Sequence, residues 1–471
     1  MRTAIRVGGL CAVLLLAAAP AAARVIHVAS GKSIQKALDQ AEPGDVVEVE
    51  PGTYREALTV DTPDIALRGI VRGGERPVLD GGGELNDGVI ASGSPFRMSG
   101  FRVQHYKGNG VSTQRVRGVH IEDLVVDDTG LYGVYPIMSR DVTVTHCTIT
   151  RIRDAAIYVG ESRRALVAHN EVHHNVAGIE IENTSDADVR DNLVYDNTAG
   201  ILVFVLPLKL QKEGRRTRVH RNWVVRNNTP NFGDPHAIVG RLPYGGGILV
   251  MAADDTVVEN NWVKDNHSYG IGVVRLDRRE SLRDFALEPR TDRVRVGANY
   301  FYRNGLDPHP SVVERWGRGA DRIWDGTGRG NCFAPNAQAT GAGVPAPACA
   351  EVEAAPPSDT TGWPPEPAPA PAAAPLTEAD HVVTIRGMRY EPKHLEVRLG
   401  DTVRWLNQDA LPHTVTSGAG REVLRTPLDS PYLMPGDSFQ YTFPAAGRYE
   451  YLCQPHMDQA PMREATVTVV E

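Results

Sequence analysis

Asn192-Leu193-Val194-Tyr195-Asp196-Asn197-Thr198-Ala199-Gly200-Ile201 holds two asparagines five residues apart, apolar residues between them, and a Gly-Ile pair just beyond. The asparagine pair recurs at Asn170/Asn175, Asn222/Asn227, Asn261/Asn266 and Asn299/Asn304. Gly-Ile follows at Gly178-Ile179, Gly247-Ile248 and Gly270-Ile271. The undecorated interval, Asn170 to Asn192, is 22 residues. Upstream, degenerate slots at Gly100/His105, Asp123/Asp128 and Cys147/Ile152 keep a period of about 23.

A period near 22 with short alternating strands predicts a parallel β-solenoid, in which each coil buries the inward Val and Ile of the next. Asparagine tolerates the left-handed turn conformation, and its amide reaches the backbone of the neighbouring coil. Equivalent asparagines should therefore stack in ladders. Cys147, in an asparagine slot, is expected to be a buried thiol.

After Asn192, Asn222 and Asn261 the intervals lengthen to 30, 39 and 38 residues. The extra residues lie at 206–216, 229–246 and 275–293, beside one face of the solenoid, where such excursions often build a cleft. With the Ile residues inward, alternation turns Tyr135, Tyr158, Glu180, Glu182, Leu202, Phe204, Leu249 and Met251 outward. The apolar members should carry the loops. Tyr158, Glu180 and Glu182 would then form a polar floor, the only candidate catalytic groups on the solenoid, with a saccharide as the ligand that fits. A solvated strand face is the simpler expectation for these three.

Composition agrees. Gly and Pro number 46 and 33, or 79 of 471 residues, roughly 17% against a usual ~12%, which disfavours a helix bundle. The hydrophobic share of 41% excludes a disordered chain. The formal charge of −8, with no basic run, excludes nucleic acid as a partner.

Residues 1–23 read as a secretory signal: Arg2 and Arg6, an apolar stretch from Leu10 to Ala19, then Ala21-Ala22-Ala23. No stretch is long enough to span a membrane, so the expectation is a periplasmic or secreted protein. In that oxidising setting Cys332 and Cys349, which bracket a Gly/Ala/Pro-rich loop, should form a disulfide.

Ahead of the repeat, Ile34, Ala37, Leu38 and Ala41 fit one helical face and suit a cap on the solenoid's open end. With Gly44-Asp45-Val46-Val47-Glu48-Val49, Pro51-Gly52-Thr53-Tyr54 and Leu79-Asp80-Gly81-Gly82-Gly83, residues 24–335 resemble right-handed parallel β-helix proteins of the pectate-lyase-like superfamily. The resemblance implies the fold and offers a polysaccharide lyase or epimerase as an alternative activity. Two Asp-Pro-His triplets, Asp234-Pro235-His236 and Asp307-Pro308-His309, lack the Tyr-Gly-Phe lead of the mannuronan epimerase motif and read as turn or end-cap residues.

Residues 336–380 form the disulfide-closed loop and a semi-rigid Pro/Ala-rich linker, with 8 Pro between Pro356 and Pro375. Residues 381–471 change character. Alternation at Val382-Val383-Thr384-Ile385, Val403-Arg404-Trp405 and Phe439-Gln440-Tyr441-Thr442-Phe443 predicts a small β-sandwich. It carries His413 and Cys453-Gln454-Pro455-His456, with Met457 and Met462 beyond. One thiolate, two imidazoles and a thioether are the donor set of a blue-copper, type-1 site.

Gly400-Asp401-Thr402-Val403-Arg404-Trp405-Leu406-Asn407, Pro412-His413-Thr414-Val415 and Gly447-Arg448-Tyr449-Glu450-Tyr451-Leu452-Cys453 resemble the plastocyanin, pseudoazurin and amicyanin group of cupredoxins. The resemblance implies one copper held by His413, Cys453 and His456. Met462 is its favoured axial ligand, because Arg463 and the last strand follow it; Met457 and Gln459 stay open. It also implies single-electron transfer with a redox partner protein, the β-helix serving as docking or glycan-binding scaffold.

Overall fold

In this computed structural model the described residues are 23–207, 209–277, 287–334, 340–343, 345–349, 379–409, 413–419, 422–423, 427–428, 430, 433, 438–453 and 460–470. Residues 1–22, within the expected signal at 1–23, and the Pro-rich residues 351–378 lie outside them.

Three parallel sheets of 12, 11 and 10 strands run along the solenoid, each strand pairing with its equivalent one coil away. The 11-stranded sheet carries the Gly-Ile strands. Ile157, Ile179, Ile201, Ile248 and Ile271 stand in register across it, all with no exposed surface. The opposite Val167, Val172, Val189 and Val194 complete a continuous apolar core. A short helix, α1 (Ile34–Leu38), N-capped by Ser33, lays Ile34, Ala37 and Leu38 over the first coil.

Two asparagine ladders run through the turns. In the first, the side-chain amides of Asn170, Asn192, Asn222 and Asn261 each donate to the carbonyl oxygen of the next member, ending on Asn299, at 2.9–3.0 Å. In the second, Asn175, Asn197, Asn227 and Asn266 do the same toward Asn304, at 2.9–3.1 Å. Each amide also donates to a main-chain carbonyl of the preceding coil, as Asn222 does to Val189 at 2.8 Å. No ladder amide is left to pay for burial alone.

Two details depart from the sequence reading. The left-handed residue is not the ladder asparagine but the one before it: His169, Asp191, Arg221, Asn260 and Ala298 in one column, His174, Asp196, Arg226, Asp265 and Arg303 in the other. The amide must point inward along the stack, so its neighbour makes the bend. The early slots also slip by one. Thr148 donates to Leu124 as Glu171 does to Cys147, so the equivalents of Cys147 are Leu124 and Phe101 rather than Asp123 and Gly100. Likewise Ile152 aligns with Thr129 and Tyr106.

The bend residues project outward, and many alternate in charge: Arg221 pairs with Asp191 at 2.7 Å, Arg226 with Asp196 at 3.2 Å and Arg303 with Asp265 at 3.3 Å. Cys147 is a buried thiol that donates to Thr145 O. Cys332 and Cys349 are disulfide-bonded, with Cα atoms 4.7 Å apart, where the last strand of the 12-stranded sheet ends. His309 N-caps a second helix, α2 (Pro310–Trp316), and Asp234 accepts from His236 N in a tight turn.

The C-terminal region is a sandwich of a four-stranded and a five-stranded sheet. Val403, Trp405 and Asn407 point inward from the strand Thr402–Asn407, and Trp405 centres the core with Phe443 and Tyr451.

Candidate functional site

The sandwich brings His413 to Cys453 by strand pairing. Thr416–Ala419 runs antiparallel to Gly447–Leu452, with Thr416 opposite Leu452, so the residues just outside the two strands meet at one end. His413 is fixed from behind by a two-way main-chain bridge to Leu433, at 3.0 and 2.8 Å. Asn407 holds the same Leu433 carbonyl from its side-chain amide at 2.7 Å.

The result is His413 Nδ1 at 3.5 Å from Cys453 Sγ, both residues with no exposed surface. Thr414 N–H donates to the same sulfur at 3.3 Å. On the far edge of the ring, His413 Nε2–H donates to the Asp409 carboxylate at 3.0 Å. Burial lowers the His413 pKa below its usual range, against the pull of Asp409, so the imidazole is held neutral with Nδ1 able to offer a lone pair. Asp409, accepting also from Gly387 N and Met388 N, sits below the usual carboxylate range.

Met462 is fully buried in a short 3₁₀ turn, Ala460–Met462, and its carbonyl accepts from Cys453 N at 2.8 Å. The turn therefore hangs from Cys453 itself. His456, Met457 and Gln459 lie outside the described residues. A soft sulfur and a neutral imidazole converging in a dry, hydrogen-bonded cage fit a copper ion that shuttles between two oxidation states. The sequence reading missed Asp409 and the Thr414 amide. An aspartate four residues before the histidine is a visible signal for the first; the second is main chain and leaves none.

On the solenoid, the structure brings Tyr158, Glu180 and Glu182 together but not on a solvated face. They are 1%, 4% and 4% exposed. The reason is the first excursion, whose Lys209 pairs with Glu182 at 2.7 Å. Tyr132 and Tyr135 stack with ring centroids 4.5 Å apart, and the Tyr158 ring packs tilted against both at 4.8 Å. The Tyr158 ring lies across Gly160, where any side chain would collide with it.

Asp154, absent from the sequence reading, joins the group. Burial, with Glu182 adding to it and a bond from Tyr132 opposing, pushes its carboxyl up to about 7. Burial raises Glu180 well above the usual range as well, followed by repulsion from Asp154 and Glu182. The apolar strand-face residues behave as expected: Leu202 and Phe204 are covered, and Leu249 and Met251 partly so.

Comparison with known proteins agrees with both halves. Residues 87–229 match the family described as right handed beta helix region, and residues 377–470 match copper binding proteins of the plastocyanin/azurin family. Amicyanin from Paracoccus denitrificans is 42% identical over 86 residues, 18% of this chain and 64% of that protein. Plastocyanin from Scenedesmus fuscus is 35% identical over 88 residues, 17% of this chain and 85% of that one.

A solved Cu(I) structure of an amicyanin variant is 36% identical, covering 21% of this chain and 88% of its own, with TM-score 0.18. The A-module of a mannuronan C-5 epimerase from Azotobacter vinelandii covers 68% of this chain and 89% of its own, at 12% identity and TM-score 0.44. Among the described residues no helix is long and apolar enough to cross a membrane. Through residues 377–470, carried behind a right-handed parallel β-helix, the chain belongs to the plastocyanin/azurin family of copper binding proteins.

Proposed function

We propose that this chain is an exported electron-transfer protein with one type-1 copper, held by His413, Cys453 and His456 with Met462 as axial ligand. The observation that carries the reading is the fully buried approach of His413 Nδ1 to Cys453 Sγ at 3.5 Å. Copper bound there supplies one-electron chemistry. The protein's own part is to exclude water, to orient the His413 ring through its bond to Asp409, and to fix the sulfur with the Thr414 amide.

The chain divides into a signal at 1–23, a β-helix at 24–335, a loop and tether at 336–380 and a cupredoxin domain at 381–471. The β-helix acts as the docking or glycan-binding scaffold, and the tether lets the copper domain meet a redox partner protein in the periplasm or outside the cell. Adding Cu(II) to the full chain gives an intense absorption near 600 nm, expected of a copper–thiolate site. Cys453→Ser abolishes it. Absence of the band in the unmodified chain overturns the reading.

A polysaccharide lyase or epimerase on the β-helix is the second reading, favoured by one observation: Asp154 and Glu180, both with raised pKa, face the Tyr132–Tyr135–Tyr158 cluster. Product release from a panel of polysaccharides, lost in Glu180→Gln, supports it. No turnover on the panel removes it.

A further inference from the structure

Two adjacent histidines on the solenoid, His173 and His174, have no part in either reading. The strand Glu171–His173 ends on one, and the other makes the left-handed bend before Asn175, with φ of 58°. In an extended strand neighbouring side chains point to opposite faces. The bend reverses this and turns both rings outward, so that their Nδ1 atoms lie 2.7 Å apart with the ring planes at 80°.

The geometry points to a second metal site, for Cu(II), in which His173 Nδ1 and His174 Nδ1 are neighbouring ligands in a tetragonal arrangement. Metal–imidazole bonds of about 2.0–2.1 Å at a right angle set two nitrogens about 2.8–3.0 Å apart, whereas a tetrahedral ion needs about 3.3–3.4 Å. The 2.7 Å separation is a hydrogen-bond distance, nearer the square edge than the tetrahedral one. Square-planar preference and a high place in the divalent affinity order select Cu(II) over Zn(II).

The surroundings hold the pair in place. Tyr195, one coil on, stacks on the His173 ring at 4.8 Å and 19°, and its hydroxyl donates to Glu171 at 2.9 Å. His174 N donates to Asp196 O, which fixes the bend against the next coil. The nearby cations have carboxylates of their own: Arg151 pairs with Asp127, and Arg226 with Asp196. His174 is exposed and His173 half-buried, so an ion reaches the nitrogens from solvent.

Among the described residues no group of three or more His, Cys, Asp and Glu side chains converges on one point. The remaining positions on the metal therefore belong to water or to an incoming ligand. Without metal, the short contact requires one nitrogen to carry a proton and donate it to the other. Binding forms two Cu–N bonds and moves that proton, by way of solvent, from Nδ1 to Nε2 of the same ring, so that both imidazoles bind neutral with no net proton released. No electron is transferred.

The test is a Cu(II) titration of the full chain by equilibrium dialysis and electron paramagnetic resonance. We expect two equivalents per chain, the second with a tetragonal signal and no 600-nm band. His173→Ala or His174→Asn, the latter chosen because asparagine tolerates the left-handed bend, should each remove one equivalent and leave the blue band unchanged. Zn(II) should bind the pair at least tenfold more weakly.

Two equivalents surviving in the double variant would mean adventitious surface binding and overturn the proposal, as would one equivalent in the unmodified chain. Equal affinity for Zn(II) overturns the tetragonal assignment. Loss of one equivalent in the variants of a chain that never turns blue would refute the sandwich reading and leave this one standing.

Discussion

The carboxylate of Asp409 accepts a hydrogen bond from His413 Nε2 at 3.0 Å, on the ring edge remote from Cys453. That bond fixes the tautomer in which Nδ1 is the lone-pair nitrogen, and it places a half-buried negative charge across the imidazole ring from the metal position. Asp409→Asn keeps the shape and removes the charge. Copper affinity should fall by about 10–100-fold, as for other partners of metal-bound histidines. The reduction potential should rise, because the lost charge favoured Cu(II). Competition titration and voltammetry read the two effects.

Met462 provides a second test. Its side chain is fully buried, and its carbonyl is tied to Cys453 N. If its sulfur is the axial donor, Met462→Gln substitutes a harder oxygen, stabilises Cu(II) and lowers the potential while the blue band persists. A shift on the order of 60 mV, tenfold in a one-electron equilibrium, is expected. An unchanged potential would pass the axial role to Met457 or Gln459.

Along the solenoid the sharpest test is the middle of a ladder. Asn222 accepts from Asn192 Nδ2 at 2.9 Å and donates to Val189 O and Asn261 Oδ1 at 2.8 and 3.0 Å. Asn222→Ala strands buried groups on both neighbouring coils. Each such group costs about 1–3 kcal/mol, so urea denaturation should show a loss of several kcal/mol. Removing the exposed partner Arg226, whose bond to Asp196 is screened by solvent, should cost less than about 1 kcal/mol.

The buried acids predict a pH dependence. Asp154 and Glu180 both have pKa values raised in the folded state, Asp154 to about 7. The folded chain then binds more protons than the unfolded chain between about pH 4 and 7, and stability falls as pH rises through that window. Glu180→Gln removes one ionisation and weakens the other shift. Its denaturation midpoint should exceed that of the unmodified chain at pH 8 and approach it at pH 4. A variant less stable at pH 8 would show that the Glu180 carboxylate is a stabilising charge.

Periodic features were legible in the sequence because they depend on spacing alone: the ladders, the inward Ile row and the α1 cap; the approach of His413 to Cys453 was legible instead from the donor set and the cupredoxin resemblance. The burial of Glu180 and Glu182 was not. Alternation assigns a side chain to a face, but what lies over that face depended on where Lys209 lands, and an excursion has no period to follow. The one-residue slip at Asp123 has a similar cause: the early coils put Leu124 and Phe101 in slots that asparagine marks elsewhere, while the turn-forming Asp123 and Gly100 beside them look like the better match.

The ladder bonds keep nearly the same length whether 22, 30, 38 or 39 residues separate their partners. Whatever leaves the coil after one strand must return to the same rung, and nothing in the rung records the length of the detour. For a protein engineer this makes the solenoid an insertion-tolerant chassis. New peptide can be grafted at 206–216 or 275–293 and judged by its own behaviour, with the frame as a fixed ruler beneath it.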